Sequence, residues 1–348
     1  MQHSGNEGQA RRTPEALIEI ENPRPNSRHT VGWISLPLLV AVGVGWLTLG
    51  KPAEESVPVA LRLPVDTLAR TTTVPFEFPD SQVVFEAFIG EQGPFRLILD
   101  TAVNPSVIDL ETARALKLPM DDGGGTRASG VGDDRSSAMS RVIPTAIAGL
   151  NVGGSPVLPF DAVAMDLRAF SEQVGRPLHG ALGFSFLKSR AVRIDYPART
   201  ITFGEGLADI EGARASATQT VEFPMVLVGT DVQIESVSVN GHLMTALLDT
   251  GASPALTISS SAAGRLGLGD LIAAAEPGLV RGAGGTAQVF RTLADSIGVG
   301  PLHSGDARVT FAPWLQQTDA LLGNGFLKDF VLTLDYSGKR VRIEQPAS

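Results

Sequence analysis

Residues 97–108 read LILDTAVNPSVI, an apolar run that ends in an acid, Asp100, followed by Thr101 and later Pro105. Alone, the stretch leaves Asp100 as either a turn residue or half of a reaction centre. Residues 246–258, ALLDTGASPALTI, carry the same pattern. Setting Asp100 on Asp249 aligns Thr101 with Thr250 and Pro105 with Pro254.

The match continues outward. Leu116 in ALKLP answers Leu266 in RLGLG. A glycine-rich turn, SGVGD at 129–133, answers RGAGGT at 281–286. Then GALGFSFLKSRAVRIDYPARTITF (180–203) lies on ALLGNGFLKDFVLTLDYSGKRVRI (320–343). There Gly183 meets Gly323, Leu187 meets Leu327, and Asp195-Tyr196 meets Asp335-Tyr336. Ordered matches at near-equal spacing are the signature of an internal repeat. The chain is therefore expected to hold two homologous lobes, 74–210 and 219–345. A duplicated domain without chemistry would give the same repeat.

Each lobe reads as mostly β. FRLILD and TALLD are short apolar runs bounded by turn signals, as buried strands are. The alternating segments around Tyr196-Pro197-Ala198-Arg199 and Tyr336-Ser337-Gly338-Lys339 predict hairpins. LETARALKL and SSSAAGRLGL predict one short helix in each lobe. The 38 Gly and 23 Pro of the 348-residue chain suit such a loop-rich fold.

Composition narrows the chemistry. The net charge of −9 argues against a nucleic-acid partner, which calls for a basic patch. The absence of cysteine excludes disulfides, thiolate catalysis and thiolate metal sites. The five His are scattered, so neither a metal nor any other cofactor is expected.

Ahead of the lobes, residues 1–29 read as a polar tail and 51–73 as a proline-bearing tether. Between them, TVGWISLPLLVAVGVGWLTLG (30–50) carries no charge and is long enough to span a bilayer. Arg24, Arg28 and His29 before it and Lys51, Glu54 and Glu55 after it give a modest bias that predicts an inward N-terminus. The segment reads as an uncleaved membrane anchor, with a cleaved signal peptide and a buried core helix as rivals. The expected location is a bacterial inner membrane, with the lobes on the periplasmic side.

Two carboxylates at the ends of equivalent buried strands suggest a pair meeting at a pseudo-twofold axis. Such a pair shares a proton, so one acid can activate water while the other protonates a carbonyl oxygen. Asp249-Thr250-Gly251-Ala252-Ser253-Pro254 after an apolar strand, with Leu321-Leu322-Gly323 further on, resembles the retropepsin-like aspartic proteases. The resemblance spans both lobes and implies an all-β fold of two tandem β-barrel lobes in one chain. It implies a catalytic dyad of Asp100 and Asp249, an aspartic endopeptidase activity, and an extended polypeptide substrate. It implies that Thr101 and Thr250 cross-link the two loops. Gly251, and Ala102 in its place in the first lobe, would lie beside the dyad. Gly282, Ala283, Gly284 and Gly285 would tip a flap over the substrate, with Gly130, Val131 and Gly132 as the counterpart. Ala102 departs from the family, which has Gly there, and strains the loop if its φ is positive. Three readings stay open: a two-lobed monomeric protease, a homodimer that pairs second lobes, and an inactive peptide-binding or scaffolding protein. Self-processing at the tether is a further possibility.

Some signals point away from chemistry. Ser185 in Gly183-Phe184-Ser185-Phe186 lacks the second glycine of a nucleophile elbow. Asp195 and Asp335 read as turn residues, and Trp314 as a core or inter-lobe residue rather than a pocket wall.

Overall fold

The computed structural model describes residues 71–120, 126–127, 141–211, 217–282 and 285–347. Within them the duplicated sequence becomes a duplicated strand order. In the first lobe, the hairpin of Val84–Ile89 and Gln92–Leu99 runs into Asp100. The strand Gly180–Leu182 lies parallel to the end of that hairpin and antiparallel to Ser106–Asp109, which leaves the Asp100 turn. Phe160–Met165, Arg141–Ile147 and the edge pair Thr126–Arg127 follow. In the second lobe the hairpin is Asp231–Val239 with His242–Asp249. Ala320–Gly323 takes the parallel place beside it, and Leu256–Ser259, Leu302–Ala312, Gly285–Val299 and Glu276–Gly282 follow in the same order. The two halves thus share one topology on a mostly β architecture.

The strands deliver their acids into the interior by a gradient of polarity. Gln92–Leu99 begins exposed and ends fully buried at Leu97, Ile98 and Leu99. Burying one such leucine contributes about 1.5–3 kcal/mol, enough to pull the attached acid inside with the strand. Glycine permits the strand behind each loop to press against it. A Cβ at Gly183 would lie 2.7 Å from the Val103 carbonyl carbon, and one at Gly323 would lie 2.6 Å from the Ala252 oxygen. Neither separation is open to a real side chain.

The lobes are joined through a shared sheet. Ala217–Pro224, Arg340–Pro346, Val331–Asp335, Ala191–Asp195, Thr200–Gly204 and Thr71–Glu77 lie side by side in that order. At its centre Ala191 pairs with Asp335, Arg193 with Thr333, and Asp195 with Val331. Ala191 and Asp195 are the repeat equivalents of Val331 and Asp335. The pairing is therefore self-complementary, as at an isologous contact. The outer hairpins close as predicted, Asp195 opposite Thr200 and Asp335 opposite Arg340.

The expectation of one helix per lobe needs correction. Leu110–Ala115, capped by Asp109, and Ser260–Arg265, capped by Ser259, stand where they were predicted. Further helices occupy Arg168–Val174, Phe184–Leu187, Leu207–Ile210, Gly269–Ala273 and Asn324–Leu327. Each is one or two turns, too short for a 3.6-residue period to show in sequence. Arg168–Val174 did carry a stop signal, Gly175, which takes a left-handed φ of 75° as a C-cap. Among the described residues no helix is long and apolar enough to cross a membrane. The predicted anchor at 30–50 lies outside the described residues.

Candidate active site

The two Asp-Thr turns meet back to back. Thr250 Oγ1 accepts from the Thr101 amide at 3.0 Å and donates to the Leu99 carbonyl at 2.9 Å. Thr101 Oγ1 accepts from the Thr250 amide at 3.1 Å and donates to the Leu248 carbonyl at 2.8 Å. Each hydroxyl thus bridges two backbone groups of the opposite lobe. All four bonds are buried, where a lost partner costs about 1–3 kcal/mol. They fix the two loops, and the acids on them, relative to each other.

Asp100 and Asp249 are both fully buried. Asp100 Oδ1 accepts from the Ala102 amide at 2.9 Å, and Asp249 Oδ1 accepts from the Gly251 amide at 2.9 Å. The Oδ2 atoms are buried with no hydrogen-bond partner. Burial, then the nearby Asp249 charge, pushes the Asp100 carboxyl well above the ordinary range. Burial pushes Asp249 up to about 7, opposed by the Gly251 amide and reinforced by Asp231. Two buried carboxyls set together do not both ionise readily, so the pair retains a proton toward neutral pH.

The loops are not equivalent at their third residue. Ala102 does not adopt a positive φ, so its methyl strains no backbone. The difference is spatial. A Cβ at Gly251 would lie 2.6 Å from Asp100 Cγ, so the Asp100 carboxyl occupies the place a side chain would take. At Ala102 that place holds a methyl group. Asp249 therefore cannot lean on the first loop as Asp100 leans on the second.

A polar shell supports the second loop. Gln82 Nε2 donates to the Gly251 carbonyl at 2.8 Å and to Ser253 Oγ at 3.3 Å. Asn324 Nδ2 donates to the Thr250 carbonyl at 2.6 Å and to the Ser81 carbonyl at 2.7 Å. The buried Tyr196 hydroxyl donates to Asn324 Oδ1 at 2.6 Å. Among the described residues the first loop has no such shell. Phe184 replaces Asn324 in the repeat and packs edge-on against Tyr336, with ring centroids 6.0 Å apart. The Tyr336 hydroxyl is consequently buried with no partner. The sequence reading missed Gln82, Asn324, Tyr196, Tyr336 and Asp231. Aligning the repeats residue by residue would have flagged Asn324 against Phe184.

The flap residues are placed in part. Glu276–Gly282 pairs antiparallel with Gly285–Val299 up to Gly282 opposite Gly285. Ala283 and Gly284, between them, lie outside the described residues, as do Gly130, Val131 and Gly132. Val280 and Val289 of this hairpin pack with Ala312, Leu315 and Leu321 beside Trp314, so Trp314 belongs to a satellite core. A cavity of about 510 Å³ near Val157, Phe186 and Arg190 is lined by neither aspartate.

The remaining candidates resolve as structure. Ser185 Oγ accepts from the Ser106 amide at 2.9 Å and donates to Ser106 Oγ at 2.8 Å, stapling the strand to the loop. Asp195 and Asp335 accept from the turn amides of Ala198 and Gly338 at 3.0 and 2.7 Å. Among the described residues no group of three His, Asp or Glu side chains converges as metal ligands.

Comparison with known families agrees with the duplication. Residues 236–329 match the family described as "gag-polyprotein putative aspartyl protease". Residues 85–186 match the family described as "aspartyl protease". Each match lies within one lobe and includes one of the two Asp-Thr turns. No curated protein matches the chain.

Proposed function

We propose that this chain, which carries two tandem aspartyl protease domains of the retropepsin-like kind, is an aspartic endopeptidase whose dyad is Asp100 and Asp249. The observation that carries the reading is the pair of buried carboxyls on loops locked by Thr101 and Thr250. The raised, coupled pair holds one proton between its two carboxyls; in the steps that follow Asp100 carries it and Asp249 is the base. Asp249 takes a proton from water as the water oxygen attacks the scissile carbonyl carbon. Asp100 gives its proton to the carbonyl oxygen, leaving a neutral amide hydrate. Asp249 then returns its proton to the departing nitrogen. Asp100 recovers one from a hydrate hydroxyl as the C–N bond breaks. General acid and base steps of this kind contribute about 10²–10⁴-fold each.

The substrate on this reading is an extended polypeptide, held by main-chain bonds in the manner of an added strand. The hairpin ending at Gly282 and Gly285 serves as its flap. One chain supplies both acids, so the enzyme acts as a monomer. The apolar run 30–50 anchors it in a bacterial inner membrane, with the lobes on the periplasmic side. Digestion of a peptide library across pH 3–8, read by mass spectrometry, tests the proposal. New termini that vanish with a transition-state-analogue inhibitor support it.

A second reading is a peptide-binding protein on an inactive protease fold. The complete burial of both aspartates favours it. Peptide capture without cleavage at every pH selects it.

A further inference from the structure

The two lobes place different chemistry at one equivalent position beside the dyad. In the first lobe Val84 pairs with Ile98, two residues before Asp100. In the second, Gln233 pairs with Leu247, two residues before Asp249. Two residues earlier in each lobe stand Gln82, just ahead of its strand, and Asp231, at the start of its own. They are therefore counterparts under the repeat. Gln82 is buried and reaches the Gly251 carbonyl of the opposite lobe's loop. Continued by two residues, the register that sets Gln233 opposite Leu247 brings Asp231 level with Asp249.

We propose that Asp231 is a positioning acid of the dyad, set across the strand pair from Asp249, whose negative charge keeps the proton shared by Asp100 and Asp249 on the pair. The inference deepens the protease reading and rests on it for its kinetic arm. Asp231 is half-buried, and burial raises its carboxyl to about 6. It acts in turn as a like charge on Asp100, Asp249 and the Tyr336 hydroxyl. These three titratable groups come from the two loops and the Val331–Asp335 hairpin. A like charge disfavours ionisation of its neighbours. Once Asp231 ionises, the dyad therefore keeps its proton to higher pH than it would alone. Gln82, neutral at the equivalent place, donates a hydrogen bond and has no such effect. The duplication has thus left one structural amide and one acid that widens the working pH range upward.

The test compares wild type, Asp231→Asn and Asp231→Glu. Asn mimics the protonated acid, so a melt at pH 4.5 verifies folding where wild-type Asp231 is itself neutral. Carbon NMR titration of the aspartate carboxyls needs no activity. Asp231→Asn is expected to lower the dyad midpoints by roughly half to one pH unit, and Asp231→Glu to restore them. For peptide hydrolysis, kcat/KM at pH 7 relative to pH 4.5 is expected to fall about 3- to 10-fold in Asp231→Asn, and the conservative variant to recover it. Midpoints that stay in place in Asp231→Asn overturn the proposal. Midpoints that shift in a protein that cuts no peptide uphold the coupling and overturn only the protease reading.

Discussion

Gly251 and Asp100 touch across the junction of the lobes: a Cβ at Gly251 would lie 2.6 Å from Asp100 Cγ and 2.9 Å from its Oδ1. The glycine of one loop is thus the seat of the acid on the other. Gly251→Ala is expected to displace the Asp100 carboxyl, destabilise the fold by about 1–3 kcal/mol through overpacking, and abolish cleavage. Urea denaturation and a peptide assay read the two effects. Ala102→Gly should keep the fold, losing about 0.5–1 kcal/mol through the freer unfolded chain.

The threonine lock gives a second prediction. Thr250→Val keeps the shape and removes the hydroxyl that serves the Thr101 amide and the Leu99 carbonyl. Two orphaned buried groups at about 1–3 kcal/mol each predict a loss of roughly 2–5 kcal/mol in chemical denaturation. Thr250→Ser, which keeps the hydroxyl, should lose far less.

Stability should fall as pH rises toward neutrality. Asp100, Asp231 and Asp249 all have raised values in the folded state, the last two to about 6 and 7. The folded chain therefore binds more protons than the unfolded chain above pH ~4. Their contribution is fully present below pH ~4 and is lost as pH rises through about 6 and 7. The melting temperature should decline between pH 4.5 and 7.5, and Asp249→Asn should flatten that decline. A melting temperature that rises over this window would count against burial of the acids.

Asn324 is the keystone of the second loop's support, with bonds to Tyr196, Ser81 and Thr250. Asn324→Leu should strand all three groups and lower stability by roughly 3 kcal/mol or more. Phe184→Leu, at the equivalent place, breaks no hydrogen bond of its side chain and should cost only its packing, so comparing their melts separates support from packing.

The duplication was legible in sequence because it repeats residues that the fold cannot replace. Asp100-Thr101 and Asp249-Thr250 recur because each threonine needs its twin, and Gly183 and Gly323 because backbone passes too close for a Cβ. The shared sheet was foreseen only as two hairpins. Nothing in VRIDY or LTLDY says that Arg193 will face Thr333 across a lobe boundary. The polar shell was invisible for a related reason. Gln82 and Tyr196 stand outside the Asp-Thr turns in sequence and gain their places in the shell only from the fold. The one-turn helices at Phe184–Leu187 and Asn324–Leu327 arise from loop closure rather than from any apolar period.

The central claim is that one chain completes a reaction centre from both lobes. Peptide hydrolysis by Asp100→Asn and Asp249→Asn, each assayed separately at its optimal pH after folding is verified, tests it most directly. The account predicts that each variant alone loses at least about 10²–10⁴-fold in kcat/KM. Near-full activity in Asp100→Asn would contradict it, and would mean that the second lobe finds its partner acid elsewhere.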